Sequence, residues 1–224
     1  MEPQIQVVRH ARARRAKLCV DPVTGAVRLT LPKRAAIGPS LRWASEQRDW
    51  VTAQRSRLPA PRPFAPGAVL PFGDTELIVR WAQAWPRRVE RSGSDLRCGG
   101  PIEGVSGRIT AWLQRQALAV LTVDTGFFAA RAGVLVERVG VGDPRGRWGS
   151  CSASGAIRYS WRLILVPEAV RRATVAHEVA HRVHMNHGPA FHALVAELLG
   201  EDPAPARAWL RANGAALHWF GRSS

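Results

Sequence analysis

The stretch from His177 to His187, which reads HEVAHRVHMNH, constrains this chain more than any other part of its sequence. In a helix, His177 and His181 are four residues apart and project from the same face. Two imidazoles placed in this way supply half of a tetrahedral metal site, and Glu178 stands beside the first of them. The pattern HExxH on a helix is typical of zinc hydrolases, in which the glutamate accepts a proton from water. We therefore predict a Zn²⁺ site with His177 and His181 as ligands and Glu178 as the catalytic base.

A catalytic zinc ion needs a third protein ligand and a fourth position that stays open for water. His187 is favoured for this place because Asn186, Gly188 and Pro189 are turn formers. They are expected to end the helix and to let the chain swing the third imidazole back towards the first two. Three other residues remain as alternatives for the third ligand: His184, His192 and Glu197.

The segment that begins at Arg147 is expected to border the metal site. RWGSCS and AIRYSW flank small turn-forming residues, a pattern that predicts a β-hairpin. A strand next to the metal helix is a place where an extended peptide can align by strand addition. We predict Arg147, Trp148 and Ser150 as substrate-binding residues. The alternative is that Trp148 belongs to the core and that Arg147 pairs with a carboxylate.

Two segments resemble the YgjP-like metallopeptidase family, which is related to the SprT-like zinc proteins. The first is RWGSCSASGAIRYSWRLILVP at 147–167, and the second is HEVAHRVHMNHGPAF at 177–191. The family shows RWGSC, WRL and HELAH segments, then a turn of the NHS type before a phenylalanine. A weaker resemblance covers the N-terminal segment RAKLCVDPVTGAVRLTLP. Val179 stands where the family has leucine, and His192 stands where a tryptophan is common.

The resemblance implies a function and roles for individual residues. His177, His181 and His187 match the metal ligands of the family, and Glu178 matches its catalytic glutamate. The implied activity is zinc-dependent hydrolysis of peptide bonds, with a peptide or protein as the substrate.

The expected fold class is α+β, with a zincin-like metallopeptidase core. In this core the HExxH helix is backed by other helices, including one over 106–130, and is accompanied by an antiparallel sheet. The expected domains are a basic hairpin and helix at 1–63, packed on the core, and the metallopeptidase domain at 64–224. PAPRPFAPG breaks regular structure and connects them.

The pattern of the first domain predicts its elements in more detail. Alternation over residues 16–20 and 26–31 predicts a hairpin. Ser40 is a candidate N-cap for one helix that runs to about Leu58. Its apolar stripe consists of Trp43, Trp50, Val51 and Leu58, and the tryptophans are expected to pack in the core.

The net charge of +15 is concentrated near the N-terminus. Residues 1–63 contain 13 basic and 4 acidic side chains, which gives them a net charge of +9. Such a segment is able to contact nucleic acid or an acidic substrate. The favoured alternative is a solvated face in an arginine-rich chain, because no base-reading motif accompanies the charge. The basic run consists of Arg9, Arg12, Arg14, Arg15 and Lys17.

Location and assembly are less constrained by the sequence. No apolar stretch reaches the length of a membrane span, and the N-terminus does not resemble a secretory signal. The three cysteines have no paired spacing, so reduced thiols and a cytoplasmic location are expected. The oligomeric state is not indicated.

The leading functional prediction is a zinc-dependent metallopeptidase in which Glu178 is the general base. One alternative keeps the metal and replaces the peptide with a nucleoside triphosphate, which would make the protein a pyrophosphohydrolase that uses arginines to neutralise phosphates. Another alternative is a nucleic-acid-associated protease, or a binding module with a structural metal. Structural zinc sites usually have four protein ligands that include cysteine, and none of the cysteines is near this cluster.

Overall fold

The computed structural model describes residues 4–222, and these form two compact units that divide between Ala60 and Pro61. The first unit begins with a three-stranded sheet in the order β1, β3, β2. β2 and β3 form the predicted antiparallel hairpin, whereas β1 runs parallel to β3. The hairpin turn is held by Asp21, whose Oδ1 accepts hydrogen bonds from two backbone N–H groups. The strands are β1 (Ile5–Arg9), β2 (Lys17–Val20) and β3 (Val27–Leu31).

Two helices follow in the first unit, α1 (Ile37–Glu46) and α2 (Arg48–Ser56). The prediction of one continuous helix capped by Ser40 is therefore wrong. The first helix begins before Ser40, whose hydroxyl donates a hydrogen bond to the carbonyl of residue 36 within the first turn. A serine can satisfy its hydroxyl in this way inside a helix as well as at its start.

The predicted core role of the two tryptophans in these helices is also wrong. Trp43 and Trp50 are 39% and 41% exposed. The buried residues of the two helices are Ala44 and Val51. Ala44 packs against Leu29 in the small core of this unit. Each buried residue thus immediately follows a tryptophan in the sequence. Because these smaller side chains face the core, the indole rings of the tryptophans remain partly exposed to solvent.

The second unit contains two further sheets. The larger has the order β4, β5, β7, β6, with an antiparallel β4–β5 hairpin and a parallel β5–β7 pair. Its strands are β4 (Val69–Phe72), β5 (Thr75–Ala82), β6 (Glu90–Ser92) and β7 (Asp95–Gly99). The inward-facing side chains of β5 and β7 are fully buried, which makes this sheet one wall of the main core.

The smaller sheet has the order β8, β10, β9. β9 and β10 form the predicted antiparallel hairpin, and β8 pairs with β10 in parallel. The prediction of an antiparallel sheet is therefore wrong, because the sheet is mixed. β8 is reached from the end of a long helix rather than through a hairpin turn, so its direction is not reversed relative to β10. The strands are β8 (Arg138–Gly142), β9 (Gly149–Cys151) and β10 (Ala156–Ser160).

Four helices complete the second unit: α3 (Val105–Ala132), α4 (Glu168–Ala180), α5 (Pro189–Leu199) and α6 (Ala204–Leu217). As predicted, α3 packs against α4, the helix that carries the HExxH motif, and α5 and α6 also contact α4. Nε of Arg171 on α4 lies 2.8 Å from Oδ2 of Asp124 on α3, and both side chains are buried. The fold is therefore a mixed α+β architecture with α4 near its centre. Within residues 4–222, no helix has the length and apolar character needed to cross a membrane.

Candidate metal centre

The three predicted histidine ligands lie together at the end of α4. His177 is in the last turn of the helix, and His181 is the first residue beyond it, with helix-like φ and ψ of −64° and −16°. The four-residue spacing places their ring centroids 5.0 Å apart. The ring of His187, from the loop before α5, lies 5.1 Å from that of His177 and 4.8 Å from that of His181.

The positions of the ring nitrogens suit a shared ion. One ligand atom from each histidine lies within 4.8 Å of the others, and no other group of three potential ligands this close occurs in the described part of the chain. Nε2 of His187 is 3.2 Å from Nε2 of His177. Two nitrogens bound to one tetrahedral zinc ion are about 3.3 Å apart, given Zn–N distances of about 2.0–2.1 Å. The donor set and this distance fit a divalent metal ion.

The helix ends earlier than the turn formers around His187 suggest. α4 stops at Ala180, and the chain then turns through residues 181–183. This turn brings the backbone carbonyl of His184 to 3.1 Å from Nδ1 of His181. A hydrogen bond from Nδ1–H to that carbonyl leaves the lone pair of Nε2 for a metal ion. His184 thus contributes its backbone, and neither its side chain nor those of His192 and Glu197 belong to the cluster.

Phe191 forms the floor of the histidine cluster. This residue is in the first turns of α5 and is fully buried. Its ring centroid lies 4.8 Å from that of His177, 4.6 Å from that of His181 and 4.8 Å from that of His187. One buried aromatic ring therefore packs against all three imidazoles, which restricts their rotation.

Burial and the neighbouring positive charges lower the pKa of His177 and of His181. Burial, followed by the charges of His181, His187, His192 and Arg207, lowers the pKa of His177 to about 4. The pKa of His181 is lowered by burial and by His187, although the His184 carbonyl acts in the opposite direction. A neutral imidazole offers the lone pair that a metal ion requires.

Glu178 lies beside the cluster in a confined position. It is buried, and burial raises the pKa of its carboxyl to about 7, while the positive charge of Arg147 opposes the shift. Gly149 at the start of β9 lies directly against it, because a Cβ at this position would be 2.5 Å from Oε1 of Glu178. The carboxyl is therefore held between α4 and the β9 strand.

A pocket of about 290 Å³ opens beside His177 and Glu178. Arg147 and Trp148 line it, as the sequence predicts for a substrate site, whereas Ser150 on β9 is not among its lining residues. Trp148 is fixed from behind, since its ring is 5.5 Å from that of His218. The far wall comes from α6 and includes Pro203, Ala206, Arg207 and Leu210.

Sequence reasoning missed several of these residues. Gly149 is part of the RWGSC segment, in which the sequence predicted roles for Arg147, Trp148 and Ser150 but none for the glycine between them. Phe191 follows the turn after His187. The sequence indicated it only as the phenylalanine of the family pattern and predicted no contact with the histidines. The wall from α6 had no signal of its own, because its residues meet the site only through tertiary packing.

The fold and the site define an α+β protein with a cluster of three histidines that could hold a divalent metal ion. A family model, described as the YgjP-like metallopeptidase domain, matches residues 14–213. The chain therefore belongs to the YgjP-like metallopeptidase family, as its sequence indicated. Membership supports a metal-dependent peptidase, which is a hydrolase. Comparison with curated proteins and comparison with solved structures each gave no match.

Proposed function

We propose that this protein is a zinc-dependent metallopeptidase that hydrolyses peptide bonds, with His177, His181 and His187 as metal ligands and Glu178 as the general base. The observation that carries the proposal is the convergence of three imidazole ligand atoms within 4.8 Å of one another, next to a buried carboxylate and a pocket. The metallopeptidase family supports the reaction class. Three imidazole ligands without a thiolate favour zinc in a catalytic rather than a closed structural site.

The residues of the site have distinct parts in the proposed reaction. The histidines hold the ion, the His184 carbonyl orients the His181 ring, and Phe191 supports all three rings. A bound zinc ion would lower the pKa of a water molecule towards about 7 and polarise the scissile carbonyl. Glu178 is placed to accept a proton from the attacking water and to deliver it to the leaving amine. Its raised pKa suits both transfers near neutral pH.

Strand β9 suits the alignment of an extended substrate. It is an outer strand of its sheet, paired with β10 on one side, and it contacts α4. Backbone groups on the outer side of such a strand can pair with a peptide. We propose that β9 and α4 together form the zincin-like core, with Arg147 and Trp148, which immediately precede the strand, as substrate-binding residues. For Ser150 this role is supported only by its position on β9.

The test of this proposal is peptide hydrolysis by metal-loaded wild type and by Glu178→Gln. Glutamine keeps the shape of the side chain and cannot accept the proton, so turnover should fall about 10²–10⁴-fold while zinc content is unchanged. Unchanged hydrolysis by Glu178→Gln would remove the role given to this residue.

A specific observation favours a second candidate, a pyrophosphohydrolase acting on nucleoside triphosphates. Arg147 and Arg207 line the pocket, and guanidinium groups are suited to phosphates. The volume of about 290 Å³ and the mainly apolar walls weigh against this candidate, because a nucleotide is large and strongly charged. Side-by-side assays with peptides and nucleoside triphosphates separate the two.

Nucleic-acid contact through the basic N-terminal segment is a separate proposal about partners. Arg12, Arg14, Arg15 and Lys17 are exposed, which supports it, whereas Arg9 donates hydrogen bonds to the carbonyls of Pro32 and Ala35 in its own unit. Binding that weakens steeply with salt is the expected result, and no binding to DNA at low salt would exclude it.

A further inference from the structure

The pocket beside Glu178 has walls of two chemical kinds. One kind is apolar and comes from four separate segments of the second unit. These side chains leave a space of about 290 Å³, at the lower end of the range for ligand pockets. A space of this size and character suits a single apolar side chain. The apolar wall consists of Trp148, Ala173, Val195, Pro203, Ala206 and Leu210.

The other kind of wall is cationic. Arg147 enters from the start of the β9 hairpin and Arg207 from α6, so the two guanidiniums reach the pocket from different elements. Both side chains are exposed, and neither forms an ion pair within residues 4–222. By contrast, Arg162 and Arg171 on the same unit are bound to carboxylates.

Among residues 4–222, Glu178 is the only carboxylate that lines the pocket, and the proposed reaction requires it for proton transfer. The two guanidiniums are therefore available for an anion brought by the substrate. Arginine binds carboxylates through parallel N–H···O bonds, which fix orientation as well as add binding energy.

Resting on the proposed peptidase function, we propose that the protein prefers peptides in which an apolar residue next to the cleaved bond is accompanied by a carboxylate. The apolar side chain occupies the pocket, and Arg147 and Arg207 bind the carboxylate. That carboxylate is supplied either by the free C-terminus of the peptide or by an acidic side chain. The pocket thereby selects the substrate by a combination of size, apolar character and negative charge.

The apolar part is tested by filling the pocket. Ala206→Leu adds bulk to its wall, and Ala208→Leu adds the same bulk at an exposed position on the same helix that is outside the lining. For a peptide with phenylalanine at the tested position, Ala206→Leu should lower kcat/KM by about tenfold or more relative to a peptide with alanine there. Ala208→Leu should leave this ratio as in wild type. An unchanged ratio in a folded Ala206→Leu protein overturns this part.

The anionic part is tested with three peptides of the same apolar sequence. One has a free C-terminus, one has a C-terminal amide, and one has the amide together with a glutamate side chain. Loss of every carboxylate should lower kcat/KM of wild type about ten- to a hundredfold. The peptide that recovers the rate identifies the source of the carboxylate.

Two variants connect this preference to the arginines. Arg147→Gln and Arg207→Gln should each reduce the difference between the free and amidated peptides. The matched controls Arg145→Gln and Arg211→Gln change exposed arginines nearby that do not line the pocket. These controls should keep the wild-type difference between the free and amidated peptides. Equal cleavage of all three peptides by wild type, abolished in Glu178→Gln, overturns this inference and leaves the peptidase proposal standing. If wild type with bound zinc cleaves no peptide, both proposals fail together.

Discussion

Gly149 lies so close to Glu178 that a Cβ on the glycine would be 2.5 Å from Oε1 and 2.6 Å from Cδ of the glutamate. A Cβ atom does not come this close to a carbon or oxygen atom to which it is not bonded. Any side chain at position 149 therefore requires the carboxyl to move. The glycine is therefore part of the arrangement that positions the proposed base, although it has no functional group of its own.

Gly149→Ala is expected to lower kcat by at least about tenfold while zinc still binds, because the carboxyl is displaced and the histidines are not. The matched control is Gly140→Ala on β8 of the same sheet, where a Cβ would meet no atom within 4 Å. Steady-state kinetics with metal analysis measures both properties. Equal kcat in the two variants would show that the carboxyl tolerates the displacement.

The buried ion pair between α3 and α4 predicts a large loss of stability. Asp124→Ala leaves Arg171 buried without its partner, and removal of one member of such a pair costs about 3–5 kcal/mol of unfolding free energy. Asp124 also forms an ion pair with Arg172, whose Nη1 lies 3.5 Å from Oδ1. Denaturant unfolding measures the change.

The control for this loss is Asp95→Ala, which removes a more exposed pair. The carboxylate of Asp95 lies 2.9 Å from Nε of Arg80, whose side chain is 50% exposed. Screening by solvent limits such a pair to about 1 kcal/mol or less. Similar losses in the two variants would contradict the importance given to the α3–α4 contact.

His218 predicts a pH dependence of stability. Burial lowers the pKa of this histidine below its usual value of 6.5, with Arg162, Arg222 and Arg145 acting in the same direction and Asp143 opposing them. The unfolded chain then binds a proton before the folded protein does, so stability present above pH 6.5 is lost as the pH falls through the lower folded pKa.

The corresponding experiment compares wild type with His218→Gln. With chelator present in both samples, the stability difference between the two proteins should be larger at pH 7.5 than at pH 5.5, because glutamine does not titrate. Denaturant unfolding at the two pH values provides the comparison. A difference independent of pH would mean that His218 has the same pKa in the folded and unfolded states.

The histidine cluster was largely predictable because its geometry is local. A four-residue spacing on a helix fixes the relation of His177 to His181 whatever the rest of the chain does. Only a turn is needed to bring His187 close to these two histidines, and Gly188 and Pro189 predict that turn. The sequence did not reveal that α4 ends at Ala180, because Arg182 and Val183 are compatible with a longer helix. In the structure their N–H groups instead donate to carbonyls three residues earlier.

Other predictions failed where packing decides between local alternatives. Ser40 is compatible with both a cap and a first-turn position, and its hydroxyl bonds to the residue 36 carbonyl in the latter. Trp43 and Trp50 form a plausible apolar stripe, yet the neighbouring positions face the core. From the sequence, only the β9 side of the pocket was predicted. Arg207 and Leu210 approach the pocket through the packing of α6 on α4, which the sequence does not indicate.

The most direct test of the account is metal binding by wild type and two histidine variants, with metal analysis and titration of the metal-free proteins. His187→Ala removes a proposed ligand, whereas His184→Ala removes only a side chain outside the cluster. Wild type and His184→Ala should each bind one zinc ion per chain, and His187→Ala should bind it about a hundredfold more weakly or not at all. Equal affinity of the two variants, or no zinc bound by wild type, would contradict a centre made of His177, His181 and His187.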